Sequence, residues 1–312
     1  MSAAFNRRMI PAEAVEGSWT ARDGQMLRRI DWAPNQPRGS ILFLTGRGDF
    51  YEKYLEAMAH WHSLGWHVTA FDWRGQGGSG RLGADPYTGH IDDFGTWIAD
   101  LREFWRDWSR QAAGPRVVMG HSMGGHLALR AVAEQVIDPM AVVLIAPMLG
   151  LRDGNMPDRL MQALAQFMCI IGDDRRPAWK WSERPGHPPD DRGGLLTHDA
   201  VRYADELWWR EQRPDLVMGP GSWRWIERAY ASMRWLARRS VLASIAQPVL
   251  LLATDRDALV SFKAIARAAA HLPDCELINF GAGARHEILR EADPARNEAL
   301  ARIDAFLARV CG

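Results

Sequence analysis

Six short apolar runs punctuate the chain at residues 41–45, 68–72, 117–120, 141–146, 249–254 and 276–280. Each is rich in Val, Ile, Leu or Phe, is bounded by Gly or Pro, and lacks polar alternation. A strand covered on both faces needs that pattern, because neither side of its pleat meets water. Helical periodicities lie between the runs. The clearest is Phe94, Trp97, Ile98, Leu101, Phe104, Trp105 and Trp108, a continuous i, i+3, i+4 stripe. Near the end, Asp293-Pro294 offers a helix cap and a first-turn proline ahead of Leu300, Ile303 and Leu307. Strands alternating with helices specify an α/β fold around a mostly parallel, doubly wound sheet. The Arg22-Asp23-Gly24-Gln25 turn reads instead as an antiparallel hairpin leading into that sheet.

The alternation fails between residues 151 and 239. This stretch holds seven of the fifteen tryptophans: Trp179, Trp181, Trp208, Trp209, Trp223, Trp225 and Trp235. It also holds a Pro-, Gly- and Asp-rich loop at 184–194, and Met156, Leu160, Leu164, Phe167 and Met168 at helical spacing. The expected organisation is a core of residues 1–150 and 240–312, with 151–239 inserted as a helical cap. Trp208, Trp209 and Phe167 are its candidate substrate-contacting residues, since the insertion carries more apolar surface than it can bury in itself.

Acidic and basic residues balance at 38 each, with no block of like charge, so nothing points to nucleic acid. Cys169, Cys275 and Cys311 are odd in number and far apart, which argues against disulfides and structural zinc. No histidine pair has metal-ligand spacing, and no metal or cofactor is expected. The start, MSAAFNRRMIP, lacks the apolar core of a signal peptide, and the longest apolar stretch, 141–151, is too short to span a bilayer. The expected location is the cytoplasm, with peripheral membrane contact and oligomeric state left open.

Gly120-His121-Ser122-Met123-Gly124 matches G-x-S-x-G and lies between the strand 116–119 and a helical run at 125–134. Strand, turn and helix in that order make a nucleophile elbow, which holds a serine hydroxyl exposed above a sheet. Serine is a poor nucleophile until a base takes its proton, and the base needs an acid to orient it. Around such an elbow the acid and the histidine follow in order at later strand ends. The run 249–254 ends in Asp255-Arg256-Asp257, where either carboxylate could serve. The run 276–280 leads to His286, which alone of the ten histidines follows the last strand. His121 should point away from the bond being cut, His60, His62 and His67 read as surface or packing residues, and His90 as a loop brace. The oxyanion donors would be the N–H of Met123 and one from the loop Thr45-Gly46-Arg47-Gly48, for which Arg47 is the choice. Gly75-Gln76-Gly77-Gly78-Ser79-Gly80 fits G-x-G-x-x-G, but Gly83, Pro86 and Gly89 follow, so no helix can open there and the motif reads as a structural turn.

These residues resemble the α/β hydrolases grouped as lysophospholipase L2-like, monoacylglycerol lipase-like or serine aminopeptidase S33-like. The likeness runs over nearly the whole chain after about residue 15. It is carried by Gly46-Arg47-Gly48-Asp49-Phe50 with Glu52-Lys53-Tyr54, by Asp72-Trp73-Arg74-Gly75-Gln76-Gly77, and by the elbow. Leu196-Thr197-His198-Asp199 with Arg202-Tyr203, and Pro214-Asp215-Leu216 before Trp225, resemble the lysophospholipase L2 subgroup. The resemblance selects Asp257, through the D-x-L-V phrase Asp257-Ala258-Leu259-Val260, and His286, through Gly283-Ala284-Arg285-His286-Glu287. The chain departs from many relatives at Thr45, where they carry His, and at Gly194, where they carry Asn. The resemblance implies a lysophospholipase or monoacylglycerol lipase-like esterase acting on a small lipid or ester through an acyl-enzyme on Ser122, His286 and Asp257. Its rivals are an aminopeptidase on the same scaffold, needing an acid such as Glu206 or Glu211 for the substrate amine, and a non-catalytic binding protein.

Overall fold

A computed structural model describes residues 5–152, 156–180 and 192–312. An eight-stranded sheet runs through the centre in the order β1-β2-β4-β3-β5-β6-β7-β8. Its strands are β1 Val15–Thr20, β2 Met26–Trp32, β3 Gly39–Leu44, β4 Trp66–Phe71, β5 Arg116–His121, β6 Ala141–Ile145, β7 Val249–Ala253 and β8 Cys275–Asn279. The expected hairpin joins β1 to β2, with Gly24 at φ 87°. The pairings β1·β2 and β2·β4 are antiparallel, and every later pairing is parallel.

The helices are α1 Leu55–Ser63, α2 Phe94–Trp108, α3 Met123–Ala133, α4 Asp158–Ile170, α5 Gly193–Leu196, α6 Ala200–Gln212, α7 Trp223–Leu236, α8 Arg239–Leu242, α9 Phe262–Ala269 and α10 Asp293–Cys311. The strand order turns around at β3, which lies between β4 and β5. Right-handed crossovers then put α1 on one face and α2, α3 and α9 on the other. The long helix α10 returns beside α1, where His60 Nε2 stands 2.7 Å from Asp304 Oδ2. Every apolar residue of the α2 stripe is buried, as its spacing requires. The loops after β3 and β5 leave the carboxyl ends of adjacent strands at this reversal, the crevice where open α/β sheets bind ligands.

Strands β3, β6 and β7 are buried throughout, as uninterrupted apolar runs demand. Strand β8 differs. It forms the sheet edge, and its residues are half-buried or exposed, which accounts for Glu276 and Asn279 within an otherwise apolar run. Helix α10 also begins one residue earlier than the capping pattern suggests. Asp293 is its first residue, and its carboxylate accepts from Arg202 Nη2 at 2.6 Å instead of capping the helix.

Helices α4 to α8 all fall between β6 and β7. The expected helix at 156–168 is present as α4, but its stripe faces outward. Leu160, Leu164 and Phe167 are exposed, while Gln162 and Ala165 are buried. The cause lies on α7: Glu227, itself buried, accepts from Gln162 Nε2 at 3.2 Å and Gln166 Nε2 at 3.3 Å, and so turns the polar side of α4 inward. Trp181 and residues 184–191 of the expected loop lie outside the described residues.

Candidate active site

Ser122 stands between β5 and α3 with φ 51° and ψ −115°, a left-handed conformation that costs a non-glycine residue about 1–3 kcal/mol. Three backbone bonds hold it there. Its N–H donates to Ile145 O at 2.9 Å, and its carbonyl accepts from His126 N at 3.0 Å and Met148 N at 2.9 Å. The elbow glycines are required by space. A Cβ on Gly124 would stand 2.3 Å from the Leu44 carbonyl oxygen, and one on Gly120 2.6 Å from the Gly125 nitrogen.

The turns after β7 and β8 converge on this serine. His286 Nε2 lies 3.0 Å from Ser122 Oγ, and His286 Nδ1 lies 2.8 Å from Asp257 Oδ2. The other oxygen of Asp257 accepts from the N–H groups of Leu259 at 2.7 Å and Val260 at 3.0 Å. Asp255, the alternative left open by the residues alone, is turned away beside Asn279 and is exposed. Burial pushes the Asp257 carboxyl up, but the facing imidazole and the two N–H groups pull it further down, so its pKa falls below the ordinary value. Burial likewise pulls His286 down, and the Asp257 carboxylate more than offsets this, leaving its pKa raised.

Met123 opens α3, so its N–H belongs to the unpaired, positively polarised first turn of a helix. Gly46 presses against the elbow: a Cβ there would lie 3.3 Å from Ser122 Cβ and 2.6 Å from Asp49 Oδ2. The Arg47 side chain crosses to the β6–β7 segment, donating to Gly219 O at 2.6 Å with its guanidinium 5.0 Å from the Trp179 ring centroid and 5.2 Å from that of Trp225. Gly48 N–H donates to Gln76 Oε1 at 2.7 Å, so the glycine turn at 75–80 serves as a brace for this loop. No helix follows that turn before α2.

A cleft of about 640 Å³ opens above Ser122. Its apolar wall includes Met161, Trp179, Leu195, Trp225, Ile226 and Tyr230 from the β6–β7 segment, and Leu259 and Val260 from the core. Its polar wall includes Asp49, His121 and Glu287. Trp208, Trp209 and Phe167 are not in it. Trp209 is buried against the N-terminal segment, donating from Nε1 to Arg7 O at 2.9 Å, and Trp208 stacks edge-on against it. Phe167 lies on the outward face of α4. The sequence signal for contact residues was aromatic density, which does not tell which side of a helix faces the elbow.

Among the described residues, the other histidines with close partners are engaged away from Ser122 Oγ. His121 Nδ1 is 2.8 Å from Tyr54 Oη and 3.1 Å from Asp49 Oδ2. His90 braces its loop, with Nδ1 2.8 Å from Ser222 Oγ. His126, on α3, is the residue whose situation the sequence hid: it is fully buried, 2.7 Å from Ser232 Oγ on α7, and burial pulls its pKa down to about 3. No group of His, Cys, Asp or Glu among the described residues is arranged to hold a metal ion.

Residues 35–293 match the family described as serine aminopeptidase, S33. Lysophospholipase L2 of Escherichia coli strain K12 is 29% identical and aligns over 94% of this chain and 87% of its own length. A probable lysophospholipase L2 of Haemophilus influenzae is 25% identical over 86% of this chain and 84% of its own. Among solved structures, a soluble variant of monoglyceride lipase from Saccharomyces cerevisiae superposes with a TM-score of 0.74 at 20% identity, covering 98% of this chain and 99% of that one.

Proposed function

Because this chain belongs to the serine aminopeptidase S33 family, on an α/β-hydrolase fold, we propose that it is a carboxylic-ester hydrolase that cleaves a lysophospholipid or monoacylglycerol through an acyl-enzyme on Ser122. The observation that carries the reading is the unbroken line from Ser122 Oγ through His286 to Asp257, at 3.0 and 2.8 Å, beneath an apolar wall. In this reading Ser122 Oγ attacks the ester carbonyl carbon while His286 Nε2 takes its proton. Asp257 holds Nδ1–H in place and stabilises the imidazolium. The N–H groups of Arg47 and Met123 receive the oxyanion. When the tetrahedral intermediate collapses, the C–O bond to the alcohol breaks and His286 returns the proton to that oxygen. Water, deprotonated by the same imidazole, then attacks the acyl-serine and frees the acid and Ser122.

Residues 151–239 act as the cap in this scheme, and their apolar residues along the cleft receive the acyl chain. Exposed Leu160, Phe167 and Ile170 on α4 give it a face to set against a lipid surface. No helix among the described residues is long and apolar enough to cross a membrane. Two observations weigh against an aminopeptidase. Glu206 is already surrounded by Lys53, Arg210 and Arg290, and Glu211 is exposed. A pure binding role leaves the complete hydrogen-bonded line without a purpose. The test is labelling with a fluorophosphonate probe beside hydrolysis of p-nitrophenyl butyrate. Labelling and turnover that both vanish in Ser122→Ala support the proposal, and turnover that survives the substitution overturns it.

A further inference from the structure

The polar wall of the cleft contains a buried ion cluster that the acyl-transfer steps do not use. Lys53, from the 3₁₀ turn Tyr51–Tyr54, places its ammonium 2.5 Å from Asp49, 2.7 Å from Glu287 and 3.1 Å from Glu206, with 1% of its side chain exposed. Arg290 pairs with Glu287 and stands 2.7 Å from Glu206, which Arg210 approaches at 3.2 Å. Lys53, Arg210 and Arg290 thus face Asp49, Glu206 and Glu287. Burial alone would drive the ammonium to lose its proton, but the three carboxylates outweigh it and raise its pKa. Burial pushes Asp49 up, and Lys53 with His121 pulls it well below its usual value.

Such a cluster is a costly way to gain stability, since each buried ion gives up several kcal/mol of hydration and apolar replacements often do as well. Its members have another distinction. The second oxygen of Asp49 accepts from Gly46 N–H at 3.0 Å, one residue before Arg47. It also accepts from Tyr54 Oη at 2.7 Å, while His121 Nε2 lies 3.3 Å from the carbonyl oxygen of His286. Glu287 directly follows His286. The turns carrying Arg47 and His286 leave β3 and β8, which are separated by β5, β6 and β7. At a spacing of about 4.8 Å per strand their roots stand roughly 19 Å apart. The sheet joins these roots only through the intervening ladders of β5, β6 and β7, and the turns themselves lie beyond the ladders, where side chains link them.

We infer that Lys53 is a positioning residue: by tying Asp49 to Glu287 it sets the oxyanion turn and the imidazole turn in one fixed relation over Ser122. The inference rests on the acyl-transfer reading above. It also gives a purpose to Asp49, Lys53 and Tyr54 of the phrases that the triad leaves unexplained, while Glu52 pairs instead with Arg28. Glu206 joins the same cluster from α6 through Lys53 and Arg290 and lies outside the Asp49–Lys53–Glu287 link, so it separates positioning from stability.

The experiment compares Lys53→Met, Glu287→Gln and Glu206→Gln in the full chain. It measures Tm, kcat and KM on p-nitrophenyl butyrate well below Tm, and the second-order rate of fluorophosphonate labelling. Lys53→Met and Glu287→Gln should lose about 10- to 100-fold in both kcat and labelling rate, the scale of a misplacement on the order of 1 Å, with KM moving about threefold or less. Glu206→Gln should lower Tm and leave kcat within about twofold. If all three lower Tm and kcat stays within that twofold, the cluster is only structural and the inference is overturned. Should Lys53→Met fail to fold, Glu287→Gln, which keeps the side-chain shape, decides against Glu206→Gln by the same criterion. Failure of the wild-type chain to react with the probe would sink the acyl-transfer reading itself. A reactive wild type with undiminished Lys53→Met sinks the positioning role alone.

Discussion

The two walls of the cleft over Ser122 are built by opposite means. The polar wall rises from strand ends and their turns, and directed bonds hold its groups and the turns behind them. Asp49 is held by Gly46 N–H and Lys53, His121 by Tyr54 and Glu287 by Lys53, and behind them Asp257 by two N–H groups and Gly48 by Gln76. The apolar wall is made largely of helices between β6 and β7, held by packing and by a few side-chain bonds such as Glu227 with Gln162. Directed bonds fix positions to fractions of an ångström, as proton transfer requires. Packing fixes a volume, which suffices for an acyl chain. Substitutions in the first wall should therefore act on kcat, and those in the second on the choice among substrates.

The largest effect tests the polar wall. Asp257→Asn should lower kcat by about 10⁴-fold, the scale seen when the acid of a serine triad becomes an amide and the imidazole takes the wrong tautomer. Asp255→Asn, exposed beside Asn279, should stay within about twofold of the parent. Steady-state rates on one ester decide it, and a reversed order would mean that the geometry around His286 does not describe the working enzyme. The pH profile sharpens the same point. His286 must be neutral to accept the serine proton, and its pKa is raised above the ordinary 6.5. Activity should therefore fall as pH drops through a value above 6.5, with the acid limb of kcat/KM on that side. Asp257→Asn removes the charge that raises the pKa, so the residual activity should show its limb at lower pH.

The next effect tests the apolar wall. Each methylene moved from water into it contributes about 0.8 kcal/mol, roughly fourfold in kcat/KM. A p-nitrophenyl ester series from acetate to octanoate, kept below micelle concentrations, should rise over its first several members. Trp179, which lines the cleft while remaining partly exposed, can be shortened without emptying the core. Trp179→Ala should lower kcat/KM for octanoate by about 10-fold and leave acetate within about twofold, an effect worth two or so methylenes. Trp208→Ala should leave the series unchanged. A flat series in the parent chain, or equal losses at every length, would erase the contrast between the walls.

The same contrast decides what could be read from the sequence. The elbow and the turns bearing the acid and His286 were legible as local strings at the ends of apolar runs, but the run alone left Asp255 open beside Asp257, and the resemblance chose between them. The doubly wound core was legible from the same runs. The edge position of β8 was not, because Leu277 and Ile278 read as core until the sheet order is known. Trp208, Trp209 and Phe167 misled as contact residues because composition gives the amount of apolar surface in a helix and not the direction it faces. That direction for α4 is set by Glu227, far along the chain and on another helix. The cluster around Lys53 was visible only as an unexplained phrase, since its partners Glu206 and Glu287 lie far away in sequence.

Helix α4 allows the smallest prediction and the strictest check on that reasoning. Its sequence spacing points Phe167 inward, whereas the structure leaves Phe167 56% exposed and Ala165 fully buried. Phe and Ser have similar helix propensities, so Phe167→Ser isolates burial from backbone preference. If Phe167 faces outward, the substitution should change the unfolding free energy by about 0.5 kcal/mol or less and leave the ester series untouched. Ala165→Leu, two residues away, should cost about 1–3 kcal/mol by overfilling a packed position. Urea unfolding of the two variants gives both numbers in one experiment. A loss of more than about 1.5 kcal/mol for Phe167→Ser, or a flattened ester series, would mean that the stripe on α4 packs inward. The acyl wall would then be built from the residues the sequence suggested, and the assignment of Glu227 as the group that turns this helix would fail with it.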